Sequence, residues 1–62
     1  MESEVAYVGM RVRVHECYRK QHLQGRDGVI TQTLVLADNV AFVVALRAGG
    51  RDMFWDHELE EM

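Results

Sequence analysis

The sequence predicts an all-β protein: five short strands in a small, strongly bent, partly open barrel with one 3₁₀ turn near the C-terminus. Three observations point there. "GMRVRVHE" alternates apolar and polar residues with a period of two. "GVITQTLVL" is rich in β-branched side chains that suit a pleated surface. "ADN" and "AGGR" then carry turn chemistry at hairpin spacing.

Sixty-two residues allow one domain, residues 1–62 with 1–7 as an N-terminal arm. A chain of this size buries only about 60% of its unfolded surface and needs an economical core. With 48% apolar and 27% charged residues it has the profile of a soluble globular domain, not of a disordered tail. The single cysteine, Cys17, cannot close a bridge within the chain. A reducing, cytoplasmic setting is therefore expected, with stability from packing or partners. The longest apolar run, "VAFVVAL", falls far short of the roughly 20 residues of a membrane-spanning helix. No leader pattern is visible, so an untargeted protein without membrane association is expected.

Each element has its own signal. In strand one Met10, Val12 and Val14 point one way and Arg11, Arg13 and His15 the other. Residues 16–26, "ECYRKQHLQGR", lose the alternation and read as a long loop anchored by Tyr18 and Leu23, too short for a stable helix of its own. Strand two runs over 28–36. Asp38 and Asn39 tolerate left-handed backbone, which makes a tight hairpin to strand three, "VAFVVALR". "AGGR" turns the chain into strand four, "DMFWD", and one 3₁₀ turn at 57–59 precedes a short fifth strand.

A bent barrel is the economical way for so few strands to bury one face and blunt their edges. Gly25 and Gly28 stand where the chain leaves the long loop and bends, a place for a kink or a close strand approach. The expected core is Val12, Val14, Leu23, Ile30, Phe42, Val44, Leu46, Leu59 and one or both of Phe54 and Trp55. Leu59 would plug one end.

"GMRVRV", a loop and "LQGRDGVI" resemble the SH3-like barrels of the KOW type: a glycine-led alternating strand, then a glycine, two polar residues, a glycine and an apolar pair. The match covers residues 9–32. It implies an SH3-like barrel and, in the ribosomal and transcription-elongation members, contact with RNA or the transcription machinery. The whole chain also resembles the small SH3-like proteins of phages, plasmids and mobile cassettes, mostly of unknown function, in which a segment similar to "FWDHELEEM" closes the barrel. The plasmid-borne type II dihydrofolate reductases share that shape, but their valine-glutamine-isoleucine-tyrosine strand is replaced here by "DMFWD", so their activity does not carry over.

No catalytic or cofactor-binding constellation stands out, and the expectation is a protein that is not an enzyme. His15, Cys17 and His22 form H-x-C-x4-H, but a structural zinc site needs four ligands in paired spacing, and only His57 remains. Cys17 with His57 lacks an orienting group and an oxyanion hole. Asp56, His57 and Glu58 spread around a 3₁₀ turn and read as a solvated cap.

Charge is divided along the chain. The net charge is −3, yet residues 11–26 hold five basic residues against one acid, and 52–62 hold five acids with no lysine or arginine. Mutual neutralisation in the fold is the ordinary explanation. The functional alternative is a KOW-like surface for RNA or single-stranded DNA made by Arg11, Arg13, Tyr18, Arg19, Lys20 and Arg26, cations for phosphates and a ring for stacking.

Strand three carries the sharper signal. With Phe42, Val44 and Leu46 facing the core, Ala41, Val43 and Ala45 occupy the outer face, where alternation normally supplies polar residues. Such a strip suits a protein partner or a homo-oligomer, with Val43, Ala45, Phe54 and Trp55 as the expected interface. The competing expectation is cover by Val5, Tyr7 and Val8 of the N-terminal arm.

Overall fold

A computed structural model describes residues 6–15, 23 and 25–62. Its elements are β1 (Arg11–Val14), β2 (Asp27–Leu36), β3 (Asn39–Leu46), β4 (Arg51–Trp55), a 3₁₀ turn (Asp56–Glu58) and β5 (Leu59–Glu61). All five strands are antiparallel in one sheet of order β4-β3-β2-β1-β5. The sheet does not close; β4 and β5 are its edges, joined through the 3₁₀ turn.

The bend is built into the ten-residue β2. At its start Gly28 pairs with both Val12 of β1 and Leu46 of β3. A Cβ there would overlap the Ala45 carbonyl oxygen and come within 2.7 Å of Val44 Cγ1, so only a hydrogen fits. Gly25 serves differently: its φ of +73° is left-handed, and its N–H donates to the Val14 carbonyl at 3.0 Å. Three residues after Gly28 the β2–β3 register slips between Ile30 and Gln32, leaving Thr31 as a bulge whose hydroxyl donates to the Val43 carbonyl at 3.2 Å. The slip reverses the facing of the strand. Ile30 points inward opposite Val44, whereas Gln32 and Leu34 point outward opposite Val43 and Ala41.

Inside the bend, Met10, Val12, Val14, Leu23, Ile30, Phe42, Val44, Phe54 and Leu59 form one buried cluster. Phe42 and Phe54 face each other across β3 and β4 and are the largest fully buried side chains. Leu59 follows directly on the 3₁₀ turn and is a buried member of the cluster, opposite Val14 of β1. Leu46 is only partly buried: it packs against the cluster from the periphery, because its register partner is Gly28, which offers no side chain. Of the pair left open in the sequence, Phe54 is the core member, 1% exposed.

Two local expectations change. The hairpin loop consists of Ala37 and Asp38, since Leu36 pairs with Asn39, and the residue with positive φ is Ala37 at 55°, not Asp38 or Asn39. The 3₁₀ turn starts one residue early, at Asp56. Of the 16–26 loop only Leu23, Gly25 and Arg26 are described.

Gly28→Ala should lower stability by about 2 kcal/mol or more, because backbone must move to admit a methyl group. Gly25→Ala meets no atom and should lose about 1 kcal/mol from backbone strain alone. Ala37→Gly should instead raise the melting midpoint by removing the same kind of strain, a gain on the order of 1 kcal/mol. Thermal denaturation of the three variants checks the ranking; equal losses at Gly25 and Gly28 would contradict the close-approach argument.

Candidate interaction surface

Register and alternation place the outward side chains of β2, β3 and β4 in three transverse rows. One row is Leu34–Ala41–Trp55, the next Gln32–Val43–Met53, the third Val29–Ala45–Arg51. Ala41 has no exposed surface although it lies outside the core cluster; its register neighbours Leu34 and Trp55 flank it. Trp55, Leu34, Val43 and Ala45 are half-buried, while Met53 and Val29 are 41% and 37% exposed. Three strands thus carry an apolar patch on the face turned away from the core.

Val43, Ala45 and Trp55 lie on this face as expected. Phe54 does not: Phe42 opposite it is a core residue, so alternation sends its ring inward. Met53 takes its place, and Leu34 joins because of the bulge at Thr31. The N-terminal arm does not cover the patch with its described residues. Ala6 packs against the core cluster, and Tyr7 and Val8 are 63% and 61% exposed. Val5 lies outside the described residues.

The ends of the patch differ in charge. Beyond Trp55, a cleft of about 340 Å³ is lined by Asp38, Asn39, Val40, Trp55, Asp56 and His57, bringing two carboxylates beside an indole. At the opposite end Arg51 begins β4, and Arg11 of β1 stands across from Val29.

The β4 edge is chemically occupied. The Met53 N–H donates to Asp52 Oδ1 at 2.8 Å, and the Trp55 N–H donates to Glu58 Oε1 at 2.9 Å. Both residues alternate with Asp52 and Phe54, so these donors face away from β3, along the free edge. Glu58 is only 6% exposed, and its main-chain carbonyl also accepts from the His15 N–H. This departs from the solvated cap expected at 56–58: one of the two carboxylates, that of Glu58, is structural.

The basic and acidic segments meet in the fold. β1 pairs with β5, and Arg13 donates to Glu60 Oε2 through Nη2 at 2.6 Å and Nε at 3.1 Å. His15 Nε2 lies 3.3 Å from Glu60 Oε1. Asp27 stands between Arg11 at 3.9 Å and Arg47 at 3.8 Å. Tyr18, Arg19 and Lys20 of the nucleic-acid alternative lie outside the described residues; Arg26 is exposed. Among the described residues, no group of three or more histidine, cysteine, aspartate or glutamate side chains is placed to hold a metal ion, and no helix is long and apolar enough to cross a membrane. Cys17 and His22 lie outside the described set.

No family model, curated protein or solved structure matches the chain.

The Arg13 hydrogen bond, with the Arg13 and His15 charges, holds the Glu60 carboxyl below the ordinary carboxylate range, against a smaller opposing effect of desolvation. A depressed folded-state pKa stabilises the fold above the unfolded value, and that stability is lost as pH falls through the folded one. Glu60→Gln should therefore lower the melting midpoint at neutral pH and flatten its decline below the ordinary carboxylate range. A variant tracking the wild type at every pH would remove the pairing from the stability of the β1–β5 seam.

Proposed function

We propose that the protein is a non-enzymatic interaction module that binds a protein partner, or a second copy of itself, through the outer face of β2, β3 and β4. The apolar patch of Leu34, Val43, Met53 and Trp55 carries this reading. On a 62-residue protein with a core of its own, such a surface lowers its free energy by leaving water against another surface. The motif at 9–32 supports placing the bent sheet among SH3-like barrels, and the lone Cys17 fits a reducing, cytoplasmic setting.

Nucleic-acid binding is the weaker reading, because Arg11 and Arg13 stand beside Asp27 and Glu60, which lowers their gain from phosphate contact.

Val43→Glu and Trp55→Ala should abolish association while leaving the β-sheet spectrum and cooperative unfolding intact, since both side chains lie outside the core cluster. Sedimentation measures self-association, and capture with the immobilised wild type against Val43→Glu measures a partner. A wild type that stays monomeric at high concentration and captures nothing beyond what Val43→Glu captures would end the proposal. Retardation of RNA that weakens steeply with salt and disappears in Arg11→Ala/Arg13→Ala would favour the alternative.

A further inference from the structure

The patch has the layout of a surface that fits its own copy. Rotation by 180° about an axis lying along Gln32–Val43–Met53 brings that row onto itself and lays Leu34–Ala41–Trp55 over Val29–Ala45–Arg51 of the second molecule. Arg51 and Trp55 are four residues apart on β4, about 13 Å, so the same rotation carries Arg51 of each molecule to the cleft of the other. That cleft holds what a guanidinium takes: an indole and the carboxylates of Asp38 and Asp56, the latter 3.6 Å from His57 Nδ1 through Oδ1. Among the described residues, ion pairs engage Arg11, Arg13 and Arg47, but not Arg51.

The competing way for two small sheets to join is edge to edge, which needs free main-chain donors. On β4 the edge-facing N–H groups of Met53 and Trp55 are taken by Asp52 and Glu58. The other edge, β5, has three residues, two of them glutamates. Neither outer edge offers a long run of free donors, which favours face-to-face packing.

We propose that the occupant of the outer face is a second copy of this chain, seated by a two-fold axis along Gln32–Val43–Met53, with each Arg51 entering the partner's Trp55–Asp38–Asp56 cleft. The inference rests on the interaction surface proposed above and specifies its partner. The area is modest: the Cα extents are 28 × 22 × 18 Å, and a stable interface takes roughly 800 Å² per partner. The dimer is accordingly one that dissociates on dilution.

A charge exchange tests the arrangement. Arg51→Asp sets like charge against the Asp38–Asp56 cleft, and Asp38→Arg/Asp56→Arg sets it against Arg51. Each variant alone should show a dimer dissociation constant raised at least about tenfold in sedimentation equilibrium. Their equimolar mixture should recover wild-type affinity as a heterodimer, because one contact is native and the other reversed. Loss in both variants without recovery on mixing overturns the two-fold pairing. Dimerisation weakened by Val43→Glu but indifferent to both charge variants keeps the surface and overturns the seating. A dimer untouched by Val43→Glu removes surface and inference together. A wild type monomeric at every concentration overturns the second copy alone, and capture of a partner lost in Val43→Glu then decides whether the surface stands.

Discussion

The architecture depends on how closely β2 approaches β3 at Gly28. A polypeptide of this length has no second sheet to cover its apolar face, so the one sheet must curve over itself, and curvature requires two backbones to pass where side chains normally keep them apart. The missing Cβ at Gly28 permits that approach beside Ala45 and Val44. Thr31 then absorbs the extra residue the curvature leaves on β2. Strand pairing to β1 on one side and to β3 on the other converges on this corner, and the core cluster fills the concavity it creates.

Closing the concavity is a second problem, and polar contacts hold the solution in place. The chain leaves β4, makes a single 3₁₀ turn and returns beside β1 as β5. Glu58 ties the turn to both neighbours at once, accepting the Trp55 N–H with its side chain and the His15 N–H with its main chain. Arg13 and Glu60 then clasp β1 to β5 on the solvent side, while Val14 and Leu59 pair on the core side. Charges that look segregated along the chain are thus neighbours in space. Each contact is small by itself, as exposed ion pairs are, but their positions fix where the last strand lies.

The sequence reveals the succession of strands along the chain, the inward residues of β1 and β3, and the outer strip of β3, because β1 and β3 each keep one unbroken period. It hides whatever depends on register between strands. Thr31 looks like any other β-branched residue, so the reversal that turns Leu34 outward has no local mark. Phe54 and Trp55 are adjacent and aromatic; only pairing with Phe42 and Ala41 assigns one to the core and the other to the surface. Leu46 has core character, but its position opposite a glycine leaves it at the rim. Ala37 adopts positive φ where its neighbours Asp38 and Asn39 are the more tolerant residue types, because the two-residue loop length, not local preference, sets which position turns. The Trp55–Asp38–Asp56 cleft joins segments far apart in sequence and has no motif to announce it.

The carboxylates seated on the β4 margin bear on how this molecule behaves in a crowd. A sheet with unsatisfied donors along its border is an open template: each newcomer presents the same border again, and growth has no natural end. With Asp52 and Glu58 filling those positions from within the chain, ribbon-like propagation finds no free donor at Met53 or Trp55 to start from. A greasy face can then be tolerated beside an exposed strand, since a face used once is spent.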